Sequence, residues 1–116
     1  MRLGISSPLK HSSPEEWAKK QIELGCRAVV FPVSSREPEE KIIAYKEAAE
    51  KNDLLIAEVG IWCSPLAPDP EQRKKNLDYC VEQLRLADFV GARCAVNVAG
   101  STGPRWDGHY KSNYSP

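Results

Sequence analysis

Five side chains in this 116-residue chain sit where a ligand could meet the ends of apolar runs: Glu58 within LLIAEVGIW, Trp62 at its end, Asn97 within CAVNV, Ser101 in the GSTG turn that follows, and His109 in the loop beyond. A carboxylate inside an apolar run is costly to bury alone, so Glu58 either points into a polar mouth or meets an arginine. Gly60, two residues on, falls on the same side of an extended chain and leaves room for a ligand. Asn97 must find hydrogen bonds in the core or from a ligand. Trp62 either covers the end of the fold or offers a flat plate to a sugar ring. The GSTG turn presents backbone N–H groups that could cradle an anion such as phosphate.

Other reactive residues have plainer readings. His11 stands alone in a polar loop, as His109 does, and both suit solvent better than a metal. Ser13 reads as a helix cap rather than a nucleophile, since no histidine has the strand-turn context of a triad. The four cysteines, Cys26, Cys63, Cys80 and Cys94, form no C-x-x-C pair, which argues against a zinc knuckle or a thioredoxin-type motif. Cys26, Cys80 and Cys94 lie among apolar residues and read as buried thiols. Cys63 follows a strand end and is the one thiol expected at a pocket. No Walker loop, dinucleotide fingerprint or H-E-x-x-H motif is present.

Sixteen basic side chains balance sixteen acidic ones, so no net field draws the chain to nucleic acid or anionic lipid. An apolar fraction of 41% and a charged fraction of 28% are those of an ordinary soluble domain. The N-terminus MRLGISSPLK has no apolar signal region, and no stretch reaches membrane-spanning length. The expectation is a cytoplasmic protein of one domain, residues 1–116.

The elements that position these residues alternate. Strand candidates are 3–6 (LGIS), 28–31 (AVVF), 54–62 (LLIAEVGIW) and 94–98 (CAVNV), near-continuous apolar runs suited to a parallel sheet covered by helices. Between them a phrase recurs: Ser13-Pro14-Glu15-Glu16, Glu37-Pro38-Glu39-Glu40 and Asp69-Pro70-Glu71-Gln72. Each places proline at a first helical position, where its missing N–H costs nothing, with acids meeting the positive end of the helix dipole. The first and third copies also approximate a capping box. Leu24-Gly25-Cys26-Arg27 and Val90-Gly91-Ala92-Arg93 repeat as helix ends, and Asn52 would close the middle helix. In the third helix Leu77, Cys80, Val81, Leu84 and Ala87 make one apolar stripe.

The order strand–helix–strand–helix–strand–helix–strand, with short right-handed crossovers, predicts either half of a (β/α)8 barrel or a small open α/β sheet. Ligand chemistry then belongs at the strand C-termini: Ser6, Ser7 and His11 after the first, Pro32, Ser34 and Ser35 after the second, Trp62, Cys63 and Ser64 after the third, and Gly100, Ser101, Trp106 and His109 after the fourth. Four strands in sequence order leave two open edges and an uncovered face, for which Val29, Phe31, Ile56, Val96 and Val98 are candidates. A homo-oligomer is expected to cover it.

The Ser13-Pro14-Glu15-Glu16-Trp17 start, ELGCRAVVF, IAEVGIWCSPLAPDPEQRKKNLDYCVEQLRLADFVGAR and the VAGS ending resemble the xylose isomerase-like TIM-barrel superfamily. The resemblance spans the chain but only the superfamily's first four βα units. It implies the N-terminal half of a sugar or sugar-phosphate isomerase or epimerase, contributing pocket wall through Glu58, Trp62, Asn97, Ser101 and His109, with no catalytic residue assigned. It implies a divalent metal such as Mn, Mg or Zn on carboxylates and a histidine of later strands, with no ligand in this chain. The 116 residues alone are then expected to be inactive, whether a natural truncation or a fragment. The competing expectation is a non-enzymatic half-barrel serving binding or assembly. Endonuclease IV-like DNA repair is disfavoured, because Gly60-Ile61-Trp62 and Asn97-Val98-Ala99 stand where those enzymes carry zinc-binding histidines, and the charge is balanced.

Overall fold

The computed structural model describes residues 1–6 and 9–114; Ser7, one of the strand-end candidates, lies outside them. Three helices and three strands alternate: α1 (Pro14–Glu23), β1 (Ala28–Val30), α2 (Glu39–Lys51), β2 (Leu55–Ile61), α3 (Pro70–Val90) and β3 (Cys94–Asn97), followed by a 3-10 turn, Lys111–Tyr114. The strands form one parallel sheet in the order β1-β2-β3. Among the described residues no helix is long and apolar enough to cross a membrane.

The helix starts follow the recurring phrase twice. Ser13 Oγ accepts from the Glu16 N–H at 3.1 Å, and Asp69 Oδ2 accepts from the Gln72 N–H at 2.7 Å, each with proline at the first helical turn. Glu16 reaches back to the Ser12 N–H (2.7 Å), one residue before the position a capping box uses, and also meets Lys20 at 2.7 Å. In α2 the proline falls one place early: Pro38 is itself the cap and makes no side-chain hydrogen bond.

All three helices end alike. Gly25, Asp53 and Gly91 are left-handed, at φ 78, 52 and 69°. At each, the next N–H reaches five residues back: Cys26 to Gln21, Leu54 to Ala49 and Ala92 to Ala87. In the middle helix the left-handed residue is Asp53 rather than Asn52. The cost of that conformation for a residue with a side chain is accompanied by a tie from Arg2, which bonds the Asp53 carboxylate at 2.8 Å and its carbonyl at 2.6 Å.

Residues 3–6 are not a strand. Leu3 C=O accepts from the N–H groups of Arg27 and Ala28, and no ladder continues. A side chain at Gly4 would strike the Ala28 carbonyl, so glycine permits the close pass. The expected four-strand order is therefore three strands plus a tethered N-terminal segment.

The register between β1 and β2 slips, pairing Val29 with Ile56 and Val30 with Glu58. The extra residue, Ala57, resets the alternation. Ile56 and Val59 thus both enter the core with Val29, Phe31, Trp17, Ile42, Tyr45, Leu86 and Val90. Val29, Phe31 and Ile56, expected on the open face, are on the helix-covered one. The open face carries Val30, Glu58 and Cys94 in one row and Gly60 and Val96 in the next. Cys94 is consequently exposed rather than buried.

The α3 stripe also divides. Cys80, Gln83, Leu86, Ala87 and Val90 are buried, while Leu77, Val81 and Leu84 face outward. Gln83 is polar in the core because it joins two segments: its Oε1 accepts from the Ser35 N–H at 2.7 Å and its Nε2 donates to Gly60 C=O at 2.8 Å.

Candidate functional site

At the C-terminal ends of β2 and β3 lies a cleft of about 560 Å³. Trp62 and Trp106 both line it, and both are exposed. Ser64, Asp69, Gln72, Asn76 and Arg105 supply its polar lining. A second cleft of about 460 Å³ opens beyond Trp62 at the end of β1, bounded by Lys10, His11, Gln21 and Phe31. Trp62 is a wall of both.

The orientation of Trp62 follows from Gly60. A Cβ at residue 60 would strike the Trp62 indole nitrogen, so the ring lies back over the glycine. The room expected at Gly60 is filled by the chain's own tryptophan.

A polar relay runs along the cleft from the start of α3. Asp69 Oδ2 caps the helix. Gln72 Nε2 donates to Asn76 Oδ1 at 2.8 Å, and Asn76 Nδ2 donates to Ser64 C=O at 2.7 Å. Among the described residues this leaves Asp69 Oδ1 and Gln72 Oε1 without hydrogen bonds, two free acceptors on residues that line the cleft. Arg105 holds Asp107 at 3.2 Å and adds a guanidinium to the lining.

Ser101 is buried and its hydrogen bonds are spent on the fold. Its N–H donates to Ser64 Oγ (2.9 Å), which donates to its carbonyl (3.0 Å). Its hydroxyl donates to Asn113 Oδ1 (3.3 Å) and accepts from the Gly103 N–H (3.1 Å). Thr102 N–H also goes to Asn113 Oδ1, at 2.9 Å. The three N–H groups of residues 101–103 are therefore all taken, and the turn does not cradle an anion. Its role is positional: it fastens the loop bearing Trp106 to the loop bearing Trp62. Gly100 makes that possible, since at φ 87° a Cβ there would strike Ser64 Oγ.

The remaining candidates scatter. Asn97 points toward α3, its Nδ2 3.7 Å from Cys80 Sγ, and does not line the cleft. Glu58 borders a separate hollow of about 210 Å³ with Gly4, Ile5 and Ser6, and has no ion pair among the described residues. His109 is exposed, its Nδ1 3.0 Å from the Tyr114 hydroxyl, and lies outside the cleft. Glu58, Trp62 and Asn97 thus do not share one cavity.

Cys63 does line the cleft. Burial, reinforced by its contact with Cys80, pushes its thiol up to about 11. Asn76, Gln72 and Arg105 were not singled out by sequence, whereas Ser64 was among the strand-end residues. The only signal for the first two is spacing: they sit four residues apart in the first turns of a capped helix, on the side nearest the strand ends.

Among the described residues no three His, Cys, Asp or Glu side chains converge as metal ligands. The chain matches no protein-family profile, no curated protein and no solved structure.

Proposed function

We propose that this chain is the pocket-wall part of a sugar or sugar-phosphate isomerase- or epimerase-like (β/α)8 barrel, its first βα units, and that the Trp62–Trp106 cleft receives the carbohydrate. The observation that carries this reading is the cleft itself: two aromatic plates, free carboxylate and amide oxygens on Asp69 and Gln72, and a guanidinium on Arg105, at the strand ends where parallel α/β folds bind ligands. An indole face packs on the C–H side of a sugar ring, while the acceptors take its hydroxyl protons and Arg105 suits a phosphate. The chemical step belongs to groups outside this chain, since its own cleft presents no paired acid and base. The test is a fluorescence titration with a pentose, a hexose and their phosphate esters. Binding with a Kd of about 1 mM, or ~4 kcal/mol, is expected to weaken at least tenfold in Trp62→Ala. Equal responses from Trp62→Ala and the unaltered chain would refute the assignment.

A second reading, assembly, is favoured by surface. The chain exposes 7647 Å², about 1,300 Å² more than a closed protein of its mass. Its radius of gyration is 16.0 Å, against about 13 Å for a closed domain of this length. The open sheet face is the surface a barrel would cover, and the outward stripe Leu77, Val81 and Leu84 is a second exposed apolar surface. A homo-oligomer in which a second copy covers them is expected at micromolar concentration. Sedimentation giving a concentration-independent monomer would contradict it.

A further inference from the structure

We propose that Cys63 and Cys80 form a site of reversible oxidation, closing a disulfide that ties the segment after β2 to the core side of α3. Their sulfurs are 3.7 Å apart, so they must approach by less than about 2 Å to reach the bonded distance. Access is asymmetric: Cys80 is buried, whereas Cys63 is half-buried and opens onto the cleft, where a small oxidant meets it first. Their neighbours leave both thiols weakly held. Cys63 Sγ donates to Asn76 C=O at 3.6 Å, and Asn97 Nδ2 approaches Cys80 Sγ at 3.7 Å, contacts that polarise the pair without blocking it. The other thiols lack such a partner among the described residues: Cys26 is buried, and Cys94, exposed, donates to Ala57 C=O at 3.4 Å.

With hydrogen peroxide as oxidant, the Cys63 thiolate attacks one peroxide oxygen, the O–O bond breaks, and sulfenic acid forms as the first water leaves. The Cys80 thiolate then attacks the sulfenic sulfur, the S–S bond forms, and the hydroxyl departs as a second water. Two thiols and one peroxide give one disulfide and two waters; a dithiol reverses the change. The raised Cys63 thiol makes the step slow at neutral pH and faster as pH rises: burial and then Cys80 on α3 raise the cost of the charge, and Arg36, after β1, lowers it. Burial, with the Cys63 charge, in turn pushes up the neighbouring Tyr79 phenol.

The test treats the full chain with hydrogen peroxide, blocks remaining thiols with iodoacetamide and maps the peptides. The expected product has two of the four thiols protected from alkylation, a mass lower by two hydrogens, a linked peptide pair containing Cys63 and Cys80, and a raised Tm, all restored by dithiothreitol. Cys80→Ser is expected to stop at a dimedone-reactive sulfenic acid on Cys63, whereas Cys94→Ser changes nothing. The proposal is overturned if Cys63 advances to sulfinic acid with Cys80 still reduced. It is equally overturned if the linkage joins two chains through Cys94, or if all four thiols survive conditions that oxidise free cysteine. The map of the unaltered chain decides the matter even if Cys80→Ser does not fold.

Discussion

The two faces of the sheet are built from the same kinds of residue and behave as different materials. On one, Val29, Ile56 and Val59 are packed beneath three helices and nearly lose contact with water. On the other, Val30, Glu58 and Val96 remain partly solvated, and the indole of Trp62 is folded onto Gly60 near the strand ends. The difference separates the residues that hold the fold from those left open to solvent. The covered face holds the fold, and the uncovered one, with the strand ends beside it, is available to a ligand or a partner.

The largest effects should come from the covered face. Ile56→Ala is expected to lower stability by about 3 kcal/mol, because it removes buried methyl groups and leaves a cavity. Val96→Ala, on the open face, should cost less than ~1 kcal/mol. Urea unfolding of both variants reads the contrast, and equal losses would mean that the open face is covered in solution. Next in size, Gln83→Ala strands the Ser35 N–H and the Gly60 carbonyl, for about 2 kcal/mol. Its loss should loosen the strand-end loops, seen as faster hydrogen exchange at Ser35. Smaller again, Asp69→Ala removes the α3 cap at the edge of the cleft, for about 1 kcal/mol. Hydrogen exchange in the first turn of α3 reports it.

The smallest effect is electrostatic. The Lys20 ammonium, with the Ser12 hydroxyl and N–H, holds the Glu16 carboxyl down at about 2 against an ordinary 4.5. A depressed folded-state value contributes stability that is present above 4.5 and is lost as pH falls toward 2. Tm measured down through that window should fall less in Glu16→Gln than in the unaltered chain. Identical profiles would show that the cluster contributes nothing to folding.

How much of this was legible in the sequence differs by element. Helix starts at Ser13 and Asp69 could be read because one side chain and one proline decide them locally. The α2 start was displaced because Glu37 does not cap the helix, and Pro38, without a side-chain acceptor, takes the cap position. Gly25 and Gly91 announce left-handed helix ends, but Asp53 takes the same conformation with a long-range tie to Arg2 that no local pattern reveals. The sheet faces were misjudged at Val29, Phe31 and Ile56, since one inserted residue, Ala57, reverses the alternation. The α3 stripe looked single because five apolar residues fit one broad arc. In the fold Gln83 stands among the buried residues and Leu77, Val81 and Leu84 turn outward. Of the cleft, Trp62, Cys63, Ser64, Ser101 and Trp106 were legible as strand-end residues, while Gln72, Asn76 and Arg105 were not. Ser101 and the GSTG turn are spoken for by Ser64 and Asn113, partners 37 and 12 residues away.

The most direct test of the proposal that the Trp62–Trp106 cleft receives a carbohydrate is amide and indole chemical-shift mapping of the ¹⁵N-labelled chain during titration with a pentose phosphate. The account predicts saturable shifts at the Trp62 and Trp106 indoles and at Ser64, Gln72, Asn76 and Arg105, with Glu58, Asn97 and His109 unmoved. Shifts confined to the cleft beside His11 and Gln21, or centred on Glu58, would contradict it.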